Sequence, residues 1–378
     1  MQQPYFRFEI IHQSKRSKAR VGRIHTPHGV IDTPCFVGVG TNGSLKAIDN
    51  LDPCMEDLSL MFCNTYHMMV QPGTALVKEF GGLHTFINRK GPLITDSGGF
   101  QVFSLAYGGV ANEIKSRGVK KNDGCVLKIT EEGVTFRSYR DGQKIFLSPE
   151  TSVQAQKDLA ADIIIPLDEL PPFHIKARSL LEALHRTHRW EERSLRYHLA
   201  QPQQQAMYAV IHGGIDPELR AFSCRTLTQQ PFDGFAIGGS LGRNTAEMIQ
   251  TVTDTVPHLP DPFPRHLLGI ADLPSLAACI PLGIDSFDSA YPTRAARHGT
   301  LFTDQGNLKI EQGRYRNQAG PIEPGCPCST CTQYHVSYLH HLFKAREPII
   351  LTLLSRHNVV YMTRYMKRMR EAICADTC

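Results

Sequence analysis

The 378-residue chain has no apolar run of membrane-spanning length, so a helical membrane protein is not expected. Its first residues carry no basic segment followed by an apolar one, so no secretory leader is expected either. Neither sign of charge dominates. There are 41 Lys+Arg against 36 Asp+Glu, a net of +5, which permits an anionic partner without demanding one. No phosphate-binding loop of the Gly-x4-Gly-Lys-Ser/Thr type is present, which argues against a doubly wound nucleotide-binding sheet. Internal repeats, low-complexity tracts and linkers are absent as well. What remains is the composition of a soluble globular protein, 41% hydrophobic and 20% charged. The length fits one large α/β barrel with insertions or two ordinary domains. Eleven cysteines, an odd number without a leader, predict a reducing compartment and a cytoplasmic location.

Residues 6–39 read as β-rich, with a hairpin signal at 27–29. Strand-then-helix units follow. Strands are predicted at 58–64, 92–95, 161–167, 206–211, 235–237, 266–268 and 286–287. Helices are predicted at 75–80, 149–159 and 178–197, from about 245, and from 273. Residues 106–147 interrupt the alternation as an insertion with a probable hairpin (125–129 and 134–138). About eight units, each ending in polar or glycine residues, favour a closed (β/α)8 barrel with its site at the strands' C-terminal rim. The basic clusters Lys15, Arg16, Lys18, Arg20 and Arg364, Lys367, Arg368, Arg370 read as solvated faces.

Asp288, at the end of the last predicted strand, is followed by Pro292, Arg294 and Arg297. A strand-end carboxylate beside guanidinium groups suits attack on an electron-poor carbon near phosphates. Asp96 ends an earlier strand and leads into Ser97-Gly98-Gly99. Taken singly, each Asp is more often a turn former. A barrel would bring both to one mouth, and two carboxyls across a glycosidic bond are the general solution for retaining glycosyl transfer. Asp168-Glu169, at the end of a buried strand, offers acceptor-only oxygens to a guanine-like N–H and NH2 edge. Gly238-Gly239 could offer bare backbone N–H groups to a carbonyl. Cys326, Cys328 and Cys331 can converge on one tetrahedral ion that needs a fourth ligand, and His335, His340, His341 and His357 are the candidates downstream.

These motifs resemble, nearly end to end, those of the bacterial-type tRNA-guanine transglycosylases, also called queuine tRNA-ribosyltransferases. The matching pieces are Thr26-Pro-His-Gly29, Asn64-Thr-Tyr-His67 with Gln71-Pro-Gly73, and Thr95-Asp-Ser-Gly-Gly-Phe-Gln-Val102. Further on come Phe235-Ala-Ile-Gly-Gly239, Asp285-Ser-Phe-Asp288, Pro292-Thr-Arg294 with Arg297, and the Cys-x-Cys-x-x-Cys knuckle. The resemblance implies an irregular (β/α)8 TIM-like barrel with a small zinc-binding subdomain inserted near the C-terminus. Residues 1–304 would form the barrel with its N-terminal β-rich segment, and 305–378 the zinc subdomain with helices completing the barrel.

The implied reaction exchanges guanine at wobble position 34 of GUN-anticodon tRNAs for a 7-deazaguanine base. Asp288 matches the family's nucleophile and Asp96 its general acid/base. Asp168, His212, Gly239, Phe100 and Leu268 match base-binding positions, and Thr293, Arg294 and Arg297 lie where the anticodon loop is held. His357 is implied as the fourth ligand of one structural Zn2+. A homodimer is implied too, and neither an organic cofactor nor ATP is needed. Several pocket positions depart from the usual bacterial pattern: His212 replaces a Gln, Leu170 a Cys and Leu268 a Met. The loop 240–244 is one residue shorter, with Arg243 near where a Glu is usual. A cation there would disfavour the ammonium of 7-aminomethyl-7-deazaguanine and favour the bulkier queuine. The competing readings are a non-catalytic tRNA-binding partner subunit, disfavoured because both aspartates are present, and an unrelated retaining glycosidase.

Overall fold

The computed structural model of the chain describes residues 4–107, 126–138 and 140–377. Eight parallel strands close into a barrel: β1 (Cys35–Val39), β2 (Leu60–Cys63), β3 (Leu93–Thr95), β4 (Ile163–Ile164), β5 (Ala206–Ile211), β6 (Gly234–Ile237), β7 (Arg265–Leu267) and β8 (Ser286–Ser289). They are hydrogen-bonded in chain order, and β8 pairs with β1 to close the ring.

Side-chain parity divides the strands into two cores. Val37, Phe62, Ile94, Ile163, Tyr208, Val210 and Ala236 fill the barrel's interior. Their neighbours Phe36, Met61, Cys63, Leu93, Ile164, Met207, Ile237, Leu267 and Phe287 belong to the outer core under the helices. Continuing the inner parity one step past each strand's end predicts which side chains face the mouth, namely Asn64, Asp96, His212 and Leu268. Asp288 has the inner parity within β8 itself.

The opposite end is plugged. Three antiparallel strands, Arg7–Gln13, Arg20–Thr26 and Gly29–Thr33, form a sheet. Phe6, Phe8, Ile24 and Ile31 from this region pack into the interior core, and Phe6 meets Tyr208 edge to face at 6.0 Å. Two buried polar ties fasten the plug. Arg20, expected in a solvated cluster, is buried and grips Asp285 with two bonds of 2.9 and 2.6 Å at the foot of β8. Asp162, just before β4, accepts His28 Nδ1 at 2.8 Å and the Leu93 N–H at 2.8 Å, with His84 Nε2 at 3.2 Å.

The helix Pro149–Leu159 follows the predicted bounds because Ser148 and Thr151 make a reciprocal capping box and Pro149 opens the first turn. The strand expected over 161–167 is only Ile163–Ile164, since a uniformly apolar run carries no period to mark where pairing stops. The insertion holds three antiparallel strands, Val126–Ile129, Val134–Arg137 and Lys144–Leu147, rather than a hairpin, and residues 108–125 lie outside the described residues. The C-terminal helix Ile349–Cys374 covers the seam near β1, with Arg370 donating to the Pro34 carbonyl and Arg356 paired to Asp52. Among the described residues no helix is long and apolar enough to cross a membrane.

Candidate active site and metal centre

Asp96 and Asp288 stand at the same end of the barrel, three strand positions apart around the eight-strand ring. Asp96 is 8% exposed. Its Oδ2 accepts Asn64 Nδ2 at 2.7 Å and its Oδ1 accepts the Thr65 N–H at 2.7 Å. Burial pushes its pKa up to about 6, with the bonds from Asn64 and Thr65 acting the other way. Such a group holds and releases a proton near neutrality, as a general acid/base requires. Asp288 is built differently. Its Oδ1 accepts the Gly269 N–H at 2.7 Å and faces His266 Nε2 at 3.1 Å. No described residue bonds its Oδ2, which leaves that oxygen for chemistry.

The remaining base-pocket candidates converge between β3 and β7. Ser97 Oγ lies 3.2 Å from Asp168 Oδ1, and His212 Nε2 lies 2.9 Å from Asp168 Oδ2. A carboxylate only accepts, so His212 carries a proton on the Nε2 that faces Asp168. His212 therefore orients Asp168. Gly239 has φ +77°, and a Cβ there would lie 2.9 Å from His212 Nδ1. A Cβ on Gly238 would strike Val210 at 2.6 Å and Leu268 at 3.1 Å. Both positions need glycine for backbone to pass this close. Leu268 is half-buried beneath them, and Phe100 is 44% exposed at the start of the helix Gly99–Tyr107, free to stack on a flat ligand. Glu169 pairs with Arg186 at 2.5 Å.

One residue that sequence reasoning missed holds the rim together. Arg220 is fully buried and donates to the carbonyls of Ile211, Gly214, Gly238 and Ser240, so a single guanidinium ties the loops after β5 and β6. Neither its helix, Pro217–Leu227, nor its role was read from the sequence, because its four acceptors come from two other segments. Arg243, expected to act as a cation near the base pocket, is paired. Glu247 accepts its Nη2 at 2.5 Å and its backbone N–H at 2.8 Å. The electrostatic argument against an ammonium-bearing base therefore falls, and only the shorter loop remains.

In the helix Tyr291–Arg297 after β8, Arg294 is exposed and Arg297 half-buried on the approach to the mouth. Thr293 is 4% exposed and donates its hydroxyl to the Ala290 carbonyl at 3.3 Å, so it shapes the turn instead of presenting a surface.

Cys326, Cys328, Cys331 and His357 are all buried, and their ligand atoms lie within 4.8 Å of one another. His357 Nε2 donates to the Phe302 carbonyl at 2.8 Å, which fixes the tautomer and turns the Nδ1 lone pair toward the sulfurs. The donor set could hold a metal ion. The alternative histidines are elsewhere: His340 Nδ1 bonds the Ile310 carbonyl, His335 Nδ1 accepts the Gly320 N–H, and His341 is exposed. A second grouping, His28, His84 and Asp162, is a fastening. Its rings stack face to face at 3.5 Å, which aims their lone pairs side by side rather than at one point, and N–H donors occupy the carboxylate.

Comparison with known proteins agrees with this geometry. The family described as Queuine tRNA-ribosyltransferase matches residues 14–378. The chain belongs to that family. A queuine tRNA-ribosyltransferase of Protochlamydia amoebophila is 62% identical over 372 residues, covering 98% of this chain and 96% of that protein. Those of Chlamydia felis and Chlamydia trachomatis serovar D are 57% and 56% identical, each covering 98% of this chain and 99% of the relative. The matched residues run from the end of the first plug strand through the whole barrel to the C-terminal helix.

Proposed function

We propose that this chain is a tRNA-guanine transglycosylase, a pentosyltransferase. In this reading it replaces guanine at wobble position 34 of the tRNAs for Asp, Asn, His and Tyr with a 7-deazaguanine base. The observation that carries the reading is a pair of carboxyls at one barrel mouth with contrasting surroundings. Asp96 has a pKa raised by burial to about 6, and Asp288 has one oxygen held and one free.

In the first displacement Asp288 Oδ2 bonds C1′ of the ribose while the bond from C1′ to the guanine nitrogen breaks. Protonated Asp96 supplies the proton that the departing base takes up. In the second, ionised Asp96 accepts the N–H proton of the incoming base, whose nitrogen bonds C1′ as the bond to Oδ2 breaks. Both aspartates return to their starting states. One glycosidic bond replaces another, so no nucleotide hydrolysis is required. Asp168, oriented by Ser97 and His212, accepts from the base's N–H and NH2 edge, Gly239 offers backbone to its carbonyl, and Phe100 stacks on its face. Arg294 and Arg297 hold the anticodon loop by its phosphates.

Cys326, Cys328, Cys331 and His357 would bind one structural Zn2+, whose contribution is to fasten the C-terminal subdomain (305–378) to the barrel. A homodimer through this region is supported by Tyr334 and Tyr338, stacked at 5.5 Å, and Ile349, all exposed large apolar side chains. A cytoplasmic setting is supported by the nine described cysteines, none of which is paired in a disulfide. Queuine and 7-aminomethyl-7-deazaguanine are both candidate incoming bases, and the short loop at 240–244 favours the bulkier queuine.

The test is exchange of labelled guanine into unmodified transcripts with GUN anticodons, followed by competition between the two bases. Exchange at position 34 is expected. Binding of these tRNAs with no exchange of any base would instead identify a partner subunit.

A further inference from the structure

The Asp288 carboxylate is held from inside the barrel by a residue that the reaction scheme does not use. His266 lies in the middle of β7 with the inner parity and is 0% exposed. Its Nδ1 lies 2.8 Å from Ser286 Oγ, and its Nε2 lies 3.1 Å from Asp288 Oδ1. Ser286 and Asp288 are two apart on β8, so both face inward, and the imidazole spans them from the neighbouring strand. The Asp288 carboxylate only accepts, which assigns the Nε2 proton to His266. The Ser286 hydroxyl can donate to the other nitrogen, and that fixes the tautomer. Above the ring, Gly269 N–H donates to the same Oδ1 at 2.7 Å. Two donors therefore converge on one oxygen of the carboxylate and, among the described residues, none on the other.

We infer that His266, set by Ser286, is a positioning residue for the attacking aspartate: with Gly269 N–H it holds Oδ1, aims Oδ2 at the ribose and stabilises the carboxylate as it leaves. The inference rests on the reading of Asp288 as the nucleophile.

The two half-reactions feel these donors differently. Hydrogen bonds to a carboxylate make it a weaker nucleophile and a better leaving group, because they stabilise charge that attack disperses and departure restores. When Oδ2 bonds C1′, Oδ1 becomes the carbonyl oxygen of an ester and keeps its two donors. When the incoming base nitrogen bonds C1′, the electron pair of the C1′–Oδ2 bond returns to a carboxylate whose Oδ1 is already solvated by protein. Removing the imidazole should therefore slow departure more than attack. A purely structural role would not produce that asymmetry.

The experiment compares His266→Phe, which keeps a flat ring without the donor, with His266→Gln, whose amide N–H reaches a similar point. Full-length enzyme and unmodified tRNA transcript are used, and formation and decay of the covalent adduct are timed by denaturing quench. In His266→Phe, decay on adding guanine should slow ~10- to 100-fold, the size expected for loss of one donor on a reacting oxygen. Adduct should accumulate at steady state, with KM for tRNA within about threefold of the parent. His266→Gln should recover most of the decay rate. Parental decay in His266→Phe, or equal slowing of both steps with no added adduct, would overturn the inference.

If thermal denaturation shows His266→Phe unfolded, Ser286→Ala frees the tautomer without removing the ring. It should slow decay ~3- to 10-fold, and an unchanged rate would equally overturn the idea. Asp288→Asn keeps the two failures apart. Turnover by Asp288→Asn would refute the choice of attacker, whereas inactive Asp288→Asn beside an unaffected His266→Phe would refute only the role of His266.

Discussion

Asn64→Leu should make one step of this enzyme faster at alkaline pH, an outcome that loss of a buried hydrogen bond rarely gives. Asn64 Nδ2 donates to Asp96 Oδ2 at 2.7 Å, and among the groups opposing the effect of burial it is the first contributor. The donor favours the ionised carboxylate, so its removal raises the pKa. A hydrogen bond to a charged group contributes roughly 1.5–3 kcal/mol, and 1.36 kcal/mol corresponds to one pH unit, so Asp96 should move from about 6 to roughly 7–8. Adduct formation requires protonated Asp96. At pH 8 a group with a pKa near 6 is ~1% protonated, and one with a pKa of 7–8 is ~10–50% protonated. The weaker acid transfers its proton less readily, which leaves a net gain of roughly threefold or more at that pH. Leucine keeps asparagine's branching at Cγ but is bulkier, so the comparison is made with a variant whose melting temperature stays near the parent's. Single-turnover adduct formation from pH 5.5 to 9 reads the effect directly. A rate that breaks at the same pH in both proteins, or at a lower pH in the variant, would refute the assignment of Asp96.

Gly239→Ala puts a Cβ 2.9 Å from His212 Nδ1 at a φ of +77°, so KM for the incoming base should rise ~10-fold or more while tRNA affinity measured by filter binding stays near the parent value. Cys331→Ser, or prolonged chelation, should remove about one zinc per chain by elemental analysis and lower the melting temperature, because the subdomain loses its internal anchor. Asp162→Ala should destabilise the fold by ~3 kcal/mol at pH 7, read from urea midpoints. Burial pushes the Asp162 carboxyl up, but His28, His84 and the Leu93 N–H outweigh it and hold the pKa below the ordinary range. A depressed acid stabilises the fold above its unfolded pKa and loses that contribution as pH falls toward its folded value. The gap between parent and variant should therefore shrink once pH drops below about 4.

The barrel was legible because six of its strands end in polar or glycine residues that interrupt short apolar runs, and Ala206–Ile211 was bounded correctly on that signal alone. Asp96, Asp288 and the cysteine knuckle were legible for a related reason, since strand ends and tight spacing are local features. The contributions of Arg20, Arg220 and His266 were not. Arg20 sits in a run of basic residues that reads as surface, yet its partner Asp285 lies 265 positions away. Arg220 and His266 act through carbonyls and a carboxylate on neighbouring strands, and nothing in their own sequence surroundings announces those acceptors. Arg243 failed in the opposite direction. It was read as a cation acting beside the base pocket, although Glu247, in the first turn of the helix Thr245–Thr255, accepts it from just outside that helix.

The central claim is that the Asp288 side chain becomes covalently bonded to the ribose at one end of the barrel. Incubating the enzyme with unmodified tRNA, quenching in denaturant and mapping the modified peptide by mass spectrometry tests it most directly. A single adduct on Asp288, in the peptide containing Ser286–Ser289 and absent from Asp288→Asn, is the predicted result. An adduct on Asp96, or continued base exchange by Asp288→Asn, would contradict it.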